Sequence, residues 1–242
     1  MSIHGRLIEA GWDPLSAGLF QELVEKIPDG VAVFDADGTL WDGDCGEAFF
    51  RRLIHEGHVQ SSSSEDELIQ AYQEHCARQV TEAYGWVVQQ MAGLTVGEAT
   101  ACADSLMTSF VESMGFTPMI TLVKELEKAG WSCWIVSASA AVVVRAGARA
   151  LGLSPERVLG VELGMKGDRF TEELVQLPNL EGKVEAMDKT GLKPALAAGN
   201  SVNDIPMLKV SSDLALCINP SDELYEMALE QKWVCVSMGE HS

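Results

Sequence analysis

The stretch VFDADGTLW (residues 33–41) runs from apolar, strand-forming residues directly into two carboxylates, Asp35 and Asp37, and then into Gly38. Like charges two residues apart in a turn repel each other, so the pair favours a site where they share a cation or take part in a reaction. The alternative is an ordinary Asp-rich turn after a strand. The rest of the sequence decides between the two.

Short apolar runs that resemble buried strands recur along the chain. They lie at 31–34, 131–136, 195–198, 214–218 and 233–236, and helix-like periods separate most of them. Strands that are continuously apolar and alternate with helices form parallel sheets covered on both faces. The sequence therefore predicts a doubly wound α/β fold with a parallel sheet.

Two segments interrupt this alternation. Residues 44–120 contain no comparable strand run and are typical of helices, with the serine run 61–64 as a loop and helix cap. Residues 158–176 contain two β-prone runs around a turn, which predicts a hairpin beside the sheet. We expect an α/β core formed by 1–43 and 121–242, with a helical cap domain inserted at 44–120.

Composition excludes several classes of protein. The chain of 242 residues has 36 Asp and Glu against 17 Lys and Arg, a formal charge of −19, which disfavours a nucleic-acid partner. No apolar stretch is long enough to span a membrane, and the first residues lack the apolar region of a signal peptide. We therefore expect a cytoplasmic protein with no membrane partner.

Polar residues follow several of the predicted core strands. Asp35 and Asp37 follow the first, Ser137 follows the second, and the segment 199–204 (GNSVND) follows a later one. The carboxyl ends of parallel strands meet in one crevice, where ligands bind. With Lys183 at the start of a predicted helix, the sequence places a nucleophile, an acid, a hydroxyl and a cation in one candidate site.

Some of these residues also have purely structural interpretations. Ser139, just after the second strand, could cap the following helix. Lys183 could be a surface lysine, although a cation gains nothing from the dipole at a helix start. Asn203 could be a turn-forming residue.

The motifs resemble, in order, those of the haloacid dehalogenase superfamily. They read Asp35-x-Asp37-Gly38-Thr39, an apolar strand ending in Ser137, Lys183, and Gly199-Asn200-Ser201-x-x-Asp204. They span almost the whole chain. A helical insert after the first strand and a hairpin before the lysine make the chain similar to the phosphoserine phosphatase branch, which implies a phosphoric monoester hydrolase.

The resemblance implies a role for each motif residue. Asp35 would attack phosphorus and form an aspartyl-phosphate, and Asp37 would act as general acid and then general base. An Asp at position 37 favours phosphate chemistry, because the dehalogenases of the superfamily lack it. The candidate phosphate-binding residues are the backbone N–H of Gly38 with Ser137, Ala138 and Lys183.

The resemblance also implies a Mg²⁺ ion, held by the Asp35 carboxylate, the main-chain carbonyl of Asp37 and the side-chain oxygen of Asn200. The family usually has Asp at the position of Asn200. An amide brings no charge, so affinity for the metal should fall unless Asp204 compensates. This departure leaves open a protein that binds phosphate esters without turnover, and transfer of the phosphoryl group to another alcohol is a further alternative.

The segment 42–120 has twelve acidic and three basic residues, net −9, which favours a leaving group that carries an amine. In phosphoserine phosphatases an acidic residue after the first motif holds the substrate ammonium, and a cap arginine holds its carboxylate. Asp44 or Glu47, with Arg51 or Arg52, are the candidates here. The segment is also aromatic, which leaves phosphocholine and phosphoethanolamine open, unless these rings are simply core residues.

Overall fold

The computed structural model describes residues 1–59, 61 and 63–239. Its strands are β1 (Val31–Phe34), β2 (Ser132–Ala140), β3 (Val158–Lys166), β4 (Arg169–Gln176), β5 (Leu196–Gly199), β6 (Leu214–Ile218) and β7 (Val234–Val236). They form a sheet in the order β4-β3-β2-β1-β5-β6-β7. The pairs β1–β2, β1–β5, β5–β6 and β6–β7 are parallel, and β3–β4 is antiparallel. The predicted α/β fold is confirmed.

Helices separate most of these strands. They are α1 (Ile3–Glu9), α2 (Pro14–Lys26), α3 (Cys45–His55), α4 (Glu65–Arg78), α5 (Val80–Gln89), α6 (Val96–Met114), α7 (Thr117–Lys128), α8 (Ala141–Leu151), α9 (Glu181–Lys189), α10 (Ile205–Lys209) and α11 (Asp222–Gln231). Short 3₁₀ helices lie at Pro155–Arg157 and Val202–Asp204. None of the helices in the described part of the chain is long and apolar enough to cross a membrane.

The predicted cap in the serine run falls at Ser64. Its hydroxyl accepts a hydrogen bond from the backbone N–H of Glu67, and the Glu67 carboxylate accepts one from the backbone N–H of Ser64. This reciprocal pair satisfies two donors that the first turn of α4 would otherwise leave without partners. Ser62, in the same run, lies outside the described residues.

The chain divides into two compact units. The first comprises Met1–Gly43, Met114–Val136 and Met187–Ser242, and the second comprises Asp44–Ser113 and Ser137–Ala186. This grouping follows contacts within the chain and does not test the boundaries of the cap domain at 44–120, which stay a prediction.

The first unit is built around β1. Ala32, Val33 and Phe34 are buried, and parallel strands pair with β1 on both edges. Phe34 is paired in register with Ile135 of β2 and with Ala198 of β5. The residue after Phe34 therefore emerges at the carboxyl edge of the sheet.

The second unit contains the predicted hairpin. Lys166 pairs with Arg169, and Gly167 between them has φ +65°, a conformation that favours glycine. Gly160 of β3 packs against the start of α8, because a Cβ atom there would lie 2.6 Å from the Cα atom of Ala141. This close approach seats α8 directly on the hairpin strands.

Candidate active site

Asp35 is the first residue after β1, and it is 7% exposed. Its backbone N–H continues the sheet by donating to the carbonyl of Ala198 (2.9 Å). The Thr39 hydroxyl lies 3.4 Å from Asp35 Oδ2, within reach to donate a hydrogen bond to it. Asp35 is thus held at a strand end, and the motif residue Thr39 orients its carboxylate.

Asp37 is partly exposed, and its Oδ1 accepts a hydrogen bond from the indole Nε1 of Trp41 (2.7 Å). The backbone N–H of Gly38 donates to the carbonyl of Trp41 (2.9 Å). The predicted donation of the Gly38 N–H to phosphate is therefore not supported, because this N–H closes the turn instead. The role of Trp41 was not predicted, although its position four residues after Asp37 is a signal for this contact.

Gly38 has φ +74°, and a Cβ atom at this position would clash with the side-chain amide of Asn200. The loop after β1 and the loop after β5 therefore touch at a point where only glycine fits. This contact brings Asn200 beside the Asp35-x-Asp37 motif, as the sequence predicted.

Asp204 organises the loop that carries Asn200. Its Oδ2 accepts hydrogen bonds from the backbone N–H groups of Asn200 (2.9 Å) and Ser201 (3.1 Å). Asp204 is 1% exposed, and Gly199 packs so tightly on it that a Cβ there would lie 2.5 Å from the Asp204 Cβ. Asp204 positions Asn200 through its backbone, and direct ligation of a metal by Asp204 stays a prediction.

The oxygen donors of this unit fit Mg²⁺. The Asp35 carboxylate, the Asp37 main-chain carbonyl and the Asn200 amide oxygen are hard ligands, and Mg²⁺ keeps several waters beside such a set. No group of three or more His, Cys, Asp and Glu side chains that could hold a metal occurs within the described ranges 1–59, 61 and 63–239. Structural zinc sites are built mainly from His nitrogen and Cys sulfur, whereas the three donors named here are oxygens.

We expect Asn200→Asp to tighten Mg²⁺ binding by roughly 10-fold, because it adds a charged oxygen beside Asp35. Isothermal titration with Mg²⁺ would measure the change. Gln231→Glu, which adds the same charge at an exposed position in α11, is the control. Unchanged or weaker Mg²⁺ binding by Asn200→Asp would remove Asn200 from the ligand set.

Ser137 and Ala138 lie in the second unit, within β2 and not after it. The predicted strand ended at 136, but β2 continues to Ala140. Ser137 is 1% exposed, and its Oγ accepts a hydrogen bond from the backbone N–H of Ser139 (3.1 Å). In that arrangement the hydroxyl proton can be donated to a phosphate oxygen.

Ser139 does not cap the following helix. The N-cap of α8 is Ala140, which makes no side-chain capping bond. The Ser139 Oγ instead lies against Gly46 at the start of α3, where a Cβ atom would be 2.6 Å from it. The capping interpretation of Ser139 is therefore wrong.

Lys183 is also buried, at 1% exposure, in the first turn of α9. The backbone N–H of Lys183 donates to the carbonyl of Leu180 (3.1 Å), and Leu180 itself has φ +51°. Gly182 packs against the carbonyl of Leu177, so that a side chain at 182 would clash with it. The interpretation of Lys183 as a surface lysine is wrong, because a tight loop holds its side chain inside the protein.

Asp44 is the N-cap residue of α3, and its Oδ1 accepts a hydrogen bond from the backbone N–H of Glu47 (2.8 Å). It also lines a small pocket whose walls include Phe50, Tyr72, Tyr84 and Ala138. Asp44 is the one charged side chain among the described residues that line this pocket. The cavity volume is about 10 Å³, roughly the room that one water molecule needs.

The other predicted substrate-binding residues are paired with each other. Arg51 donates to Glu47 Oε1 through Nε (2.9 Å) and Nη2 (2.8 Å), and Arg52 pairs with Glu56, the residue that follows α3. None of these side chains lines the Asp44 pocket. The structure therefore brings Asp44 and Ala138 together and leaves Glu47 and Arg51 as a separate surface pair.

The aromatic residues of this unit mostly pack on one another. Phe50 makes edge contacts with Tyr72 (6.1 Å between ring centroids) and Trp86 (5.9 Å), and His75 stacks on Trp86 (4.9 Å). Burial, with the nearby Asp44 carboxylate, raises the pKa of Tyr72, so its phenol stays protonated. The rings form a core that presents only part of its surface to the pocket.

Comparison with known proteins points to one family. A model of the haloacid dehalogenase-like hydrolases matches residues 32–209. A histidinol-phosphatase of Neisseria meningitidis serogroup C (strain 8013) is 22% identical over 217 residues, which cover 84% of this chain and 96% of the relative.

Solved structures share the fold. A protein of unknown function from Bordetella pertussis Tohama I matches with a TM-score of 0.74 and 22% identity, over 85% of this chain and 97% of that one. A substrate-bound phosphoserine phosphatase matches with a TM-score of 0.54 and 16% identity, over 86% and 92% of the two chains.

Proposed function

The chain belongs to the haloacid dehalogenase-like hydrolase family as a phosphoric monoester hydrolase, and we propose that it hydrolyses phosphate esters of small primary amino alcohols with Mg²⁺ as cofactor. The observation that carries this proposal is the Asp44 pocket. A single carboxylate faces a mostly apolar wall, and part of that wall, Ala138 to Ala140, follows Ser137 directly in β2. An ammonium bound there lies beside the residue proposed to bind phosphate.

The size of the pocket favours a primary amine. A volume of about 10 Å³ accommodates one group of the size of a water molecule, and an ammonium group is of that size. A trimethylammonium group is several times larger and requires the aromatic core to open. Phosphoethanolamine therefore fits better than phosphocholine.

The charges disfavour phosphoserine. Its carboxylate needs a cation in the leaving-group pocket, but Arg51 is paired with Glu47, and Arg52 with Glu56. No basic side chain lines the described walls of the Asp44 pocket. A substrate with an amine and no carboxylate avoids this conflict.

The relative from Neisseria supports the same class. Its name, histidinol-phosphatase, refers to an amino alcohol phosphate with a primary amine and no carboxylate. Histidinol phosphate therefore belongs in the substrate panel, although its imidazole requires more space than the pocket offers.

In the proposed reaction, an oxygen of Asp35 attacks phosphorus and the bond from phosphorus to the leaving oxygen breaks. Asp37 gives its proton to that oxygen and releases the amino alcohol. Asp37 then takes a proton from a water molecule, whose oxygen displaces Asp35 from phosphorus and releases phosphate. Trp41 holds the Asp37 carboxylate in place through its indole N–H.

Charge on the phosphoryl oxygens is balanced from two sources. Lys183 and the Ser137 hydroxyl bind and orient the phosphoryl group. Asp35, Asp37 and Asn200 would hold Mg²⁺, which supplies further positive charge to the phosphoryl oxygens when bound.

A phosphatase panel with Mg²⁺ and with EDTA tests the proposal. The panel contains phosphoethanolamine, 2-hydroxyethyl phosphate, histidinol phosphate, phosphocholine, phosphoserine and a sugar phosphate. We expect the primary amines without a carboxylate, phosphoethanolamine first, to have the highest kcat/KM, and EDTA to abolish turnover. A sugar phosphate or phosphoserine as the best substrate would contradict the proposed substrate class, and tight ester binding without any phosphate release would favour a non-catalytic binding protein.

We expect Asp44→Asn to lower kcat/KM for phosphoethanolamine by about 10–100-fold, the effect of one charge-assisted hydrogen bond. It should change little for 2-hydroxyethyl phosphate, in which a hydroxyl replaces the amine. Asn caps a helix as well as Asp does, so α3 stays stable. Asp66→Asn, at an exposed position in α4, is the matched control, and equal losses on both substrates would assign Asp44 a structural role only.

A further inference from the structure

The second unit contains a second cavity of about 300 Å³, which shares only Met91 with the described walls of the Asp44 pocket and is at the lower end of the range of small-molecule sites. Its apolar wall includes Val142, Val161 and Leu163, all less than 10% exposed. Val96 and Met165 form part of the rim and are 43% and 46% exposed. The cavity thus combines a buried apolar floor with an exposed apolar entrance.

Two arginines on one face of α8 line the same cavity. Arg145 pairs with Glu162, which also lines it. Arg149 donates to Asp104 Oδ1 through Nε (3.0 Å) and Nη2 (2.5 Å). In both pairs each side chain is at least 30% exposed, and ion pairs this exposed to water contribute little to stability.

These arginines stand out against the charge of the chain. Only 17 of its 242 residues are Lys or Arg, yet two of them lie one helical turn apart at this cavity. A guanidinium carries five N–H donors in a planar fork, so it can bind a carboxylate of a ligand while it keeps a protein partner. The neighbouring ion pairs are weak enough to rearrange when an anion enters.

We infer that this cavity binds a small monocarboxylate with an apolar body. The carboxylate contacts Arg145 and Arg149, and the apolar body contacts the floor formed by Val142, Val161 and Leu163. The site is lined by other residues than Asp35, Asp37 and Asn200, so it does not depend on the proposed phosphatase reaction.

Isothermal titration of the full chain with hexanoate tests the inference, with hexylamine and hexanol as probes of equal length. We expect saturable binding of hexanoate and no saturable binding of hexylamine or hexanol. Arg145→Gln and Arg149→Gln should each weaken hexanoate by about 10-fold or more. Arg78→Gln, an exposed arginine of α4 outside the cavity, should leave it unchanged.

Two further variants keep the test independent of folding defects. Glu162→Gln removes the carboxylate that competes for Arg145, so hexanoate should bind several-fold more tightly. Thr100→Trp fills the cavity from α6 without a change of charge, and should abolish binding. Absent hexanoate binding, equal binding of hexylamine, or binding that neither arginine variant weakens would overturn the inference.

Discussion

Asp35→Asn should lower phosphatase turnover by at least about 10⁴-fold, the scale of removing a catalytic nucleophile. The amide is not nucleophilic toward phosphorus, and Asp37, the other carboxylate of this turn, is held by the indole of Trp41. The side chain has almost the same size and stays within reach of the Thr39 hydroxyl. The fold should therefore persist while the chemistry stops.

The measurement is phosphate release from the best substrate of the panel, with acid-quench trapping of labelled phosphoenzyme. Wild-type protein should accumulate acid-stable aspartyl-phosphate on a fast timescale, and Asp35→Asn should form none. Asp188→Asn, at an exposed position in α9, is the matched control and should behave as wild type. Residual activity of Asp35→Asn above a few per cent would show that Asp35 is not the nucleophile.

Local sequence patterns predicted most of the strands well. The run 31–34 coincides with β1, and the hairpin turn lies at Gly167 as expected. These signals are local, because apolar runs and turn residues act over a few positions. The strand β2 was predicted too short, since the small residues of Ser137–Ala140 carry no β-branched or aromatic signal although they belong to the strand.

The contacts of the site depended on pairings distant in sequence. Asn200 meets Gly38 because β5 lies beside β1 in a parallel register. No spacing within either motif predicts that contact, since it follows from a crossover of more than 150 residues along the chain. The meeting of the two motifs was predictable from the fold class, and the atomic contact between Gly38 and Asn200 was not.

The pairing of Arg51 was, in contrast, readable from the sequence. Glu47 and Arg51 lie four residues apart in a helix, and Glu before Arg at this spacing is a favourable pair. The resemblance to phosphoserine phosphatases assigned both residues to a substrate instead. The ion pair with Glu47 competes with a substrate carboxylate for Arg51. This competition disfavours phosphoserine, which has a carboxylate, and does not affect the proposed amino alcohol phosphates, which have none.

Lys183→Met should lower kcat/KM by about 10²–10³-fold, the range seen when one preorganised donor to a developing charge is lost. Methionine keeps an unbranched side chain of similar size but removes the cation. Inhibition by inorganic phosphate should weaken by at least about 10-fold, because a charged hydrogen bond to phosphate is lost. Affinity for Mg²⁺ should change little, since Lys183 provides no metal ligand.

The control is Lys189→Met, which removes the same charge from an exposed position at the end of α9. If Lys183 has only a structural role, Lys183→Met should lower the Tm but leave kcat/KM and inhibition by phosphate unchanged in the protein that remains folded. If Lys183 binds phosphate, folded Lys183→Met should lose both kcat/KM and inhibition by phosphate. An anion bound at the first turn of α9 is also favoured by the helix dipole, which attracts negative charge at a helix start.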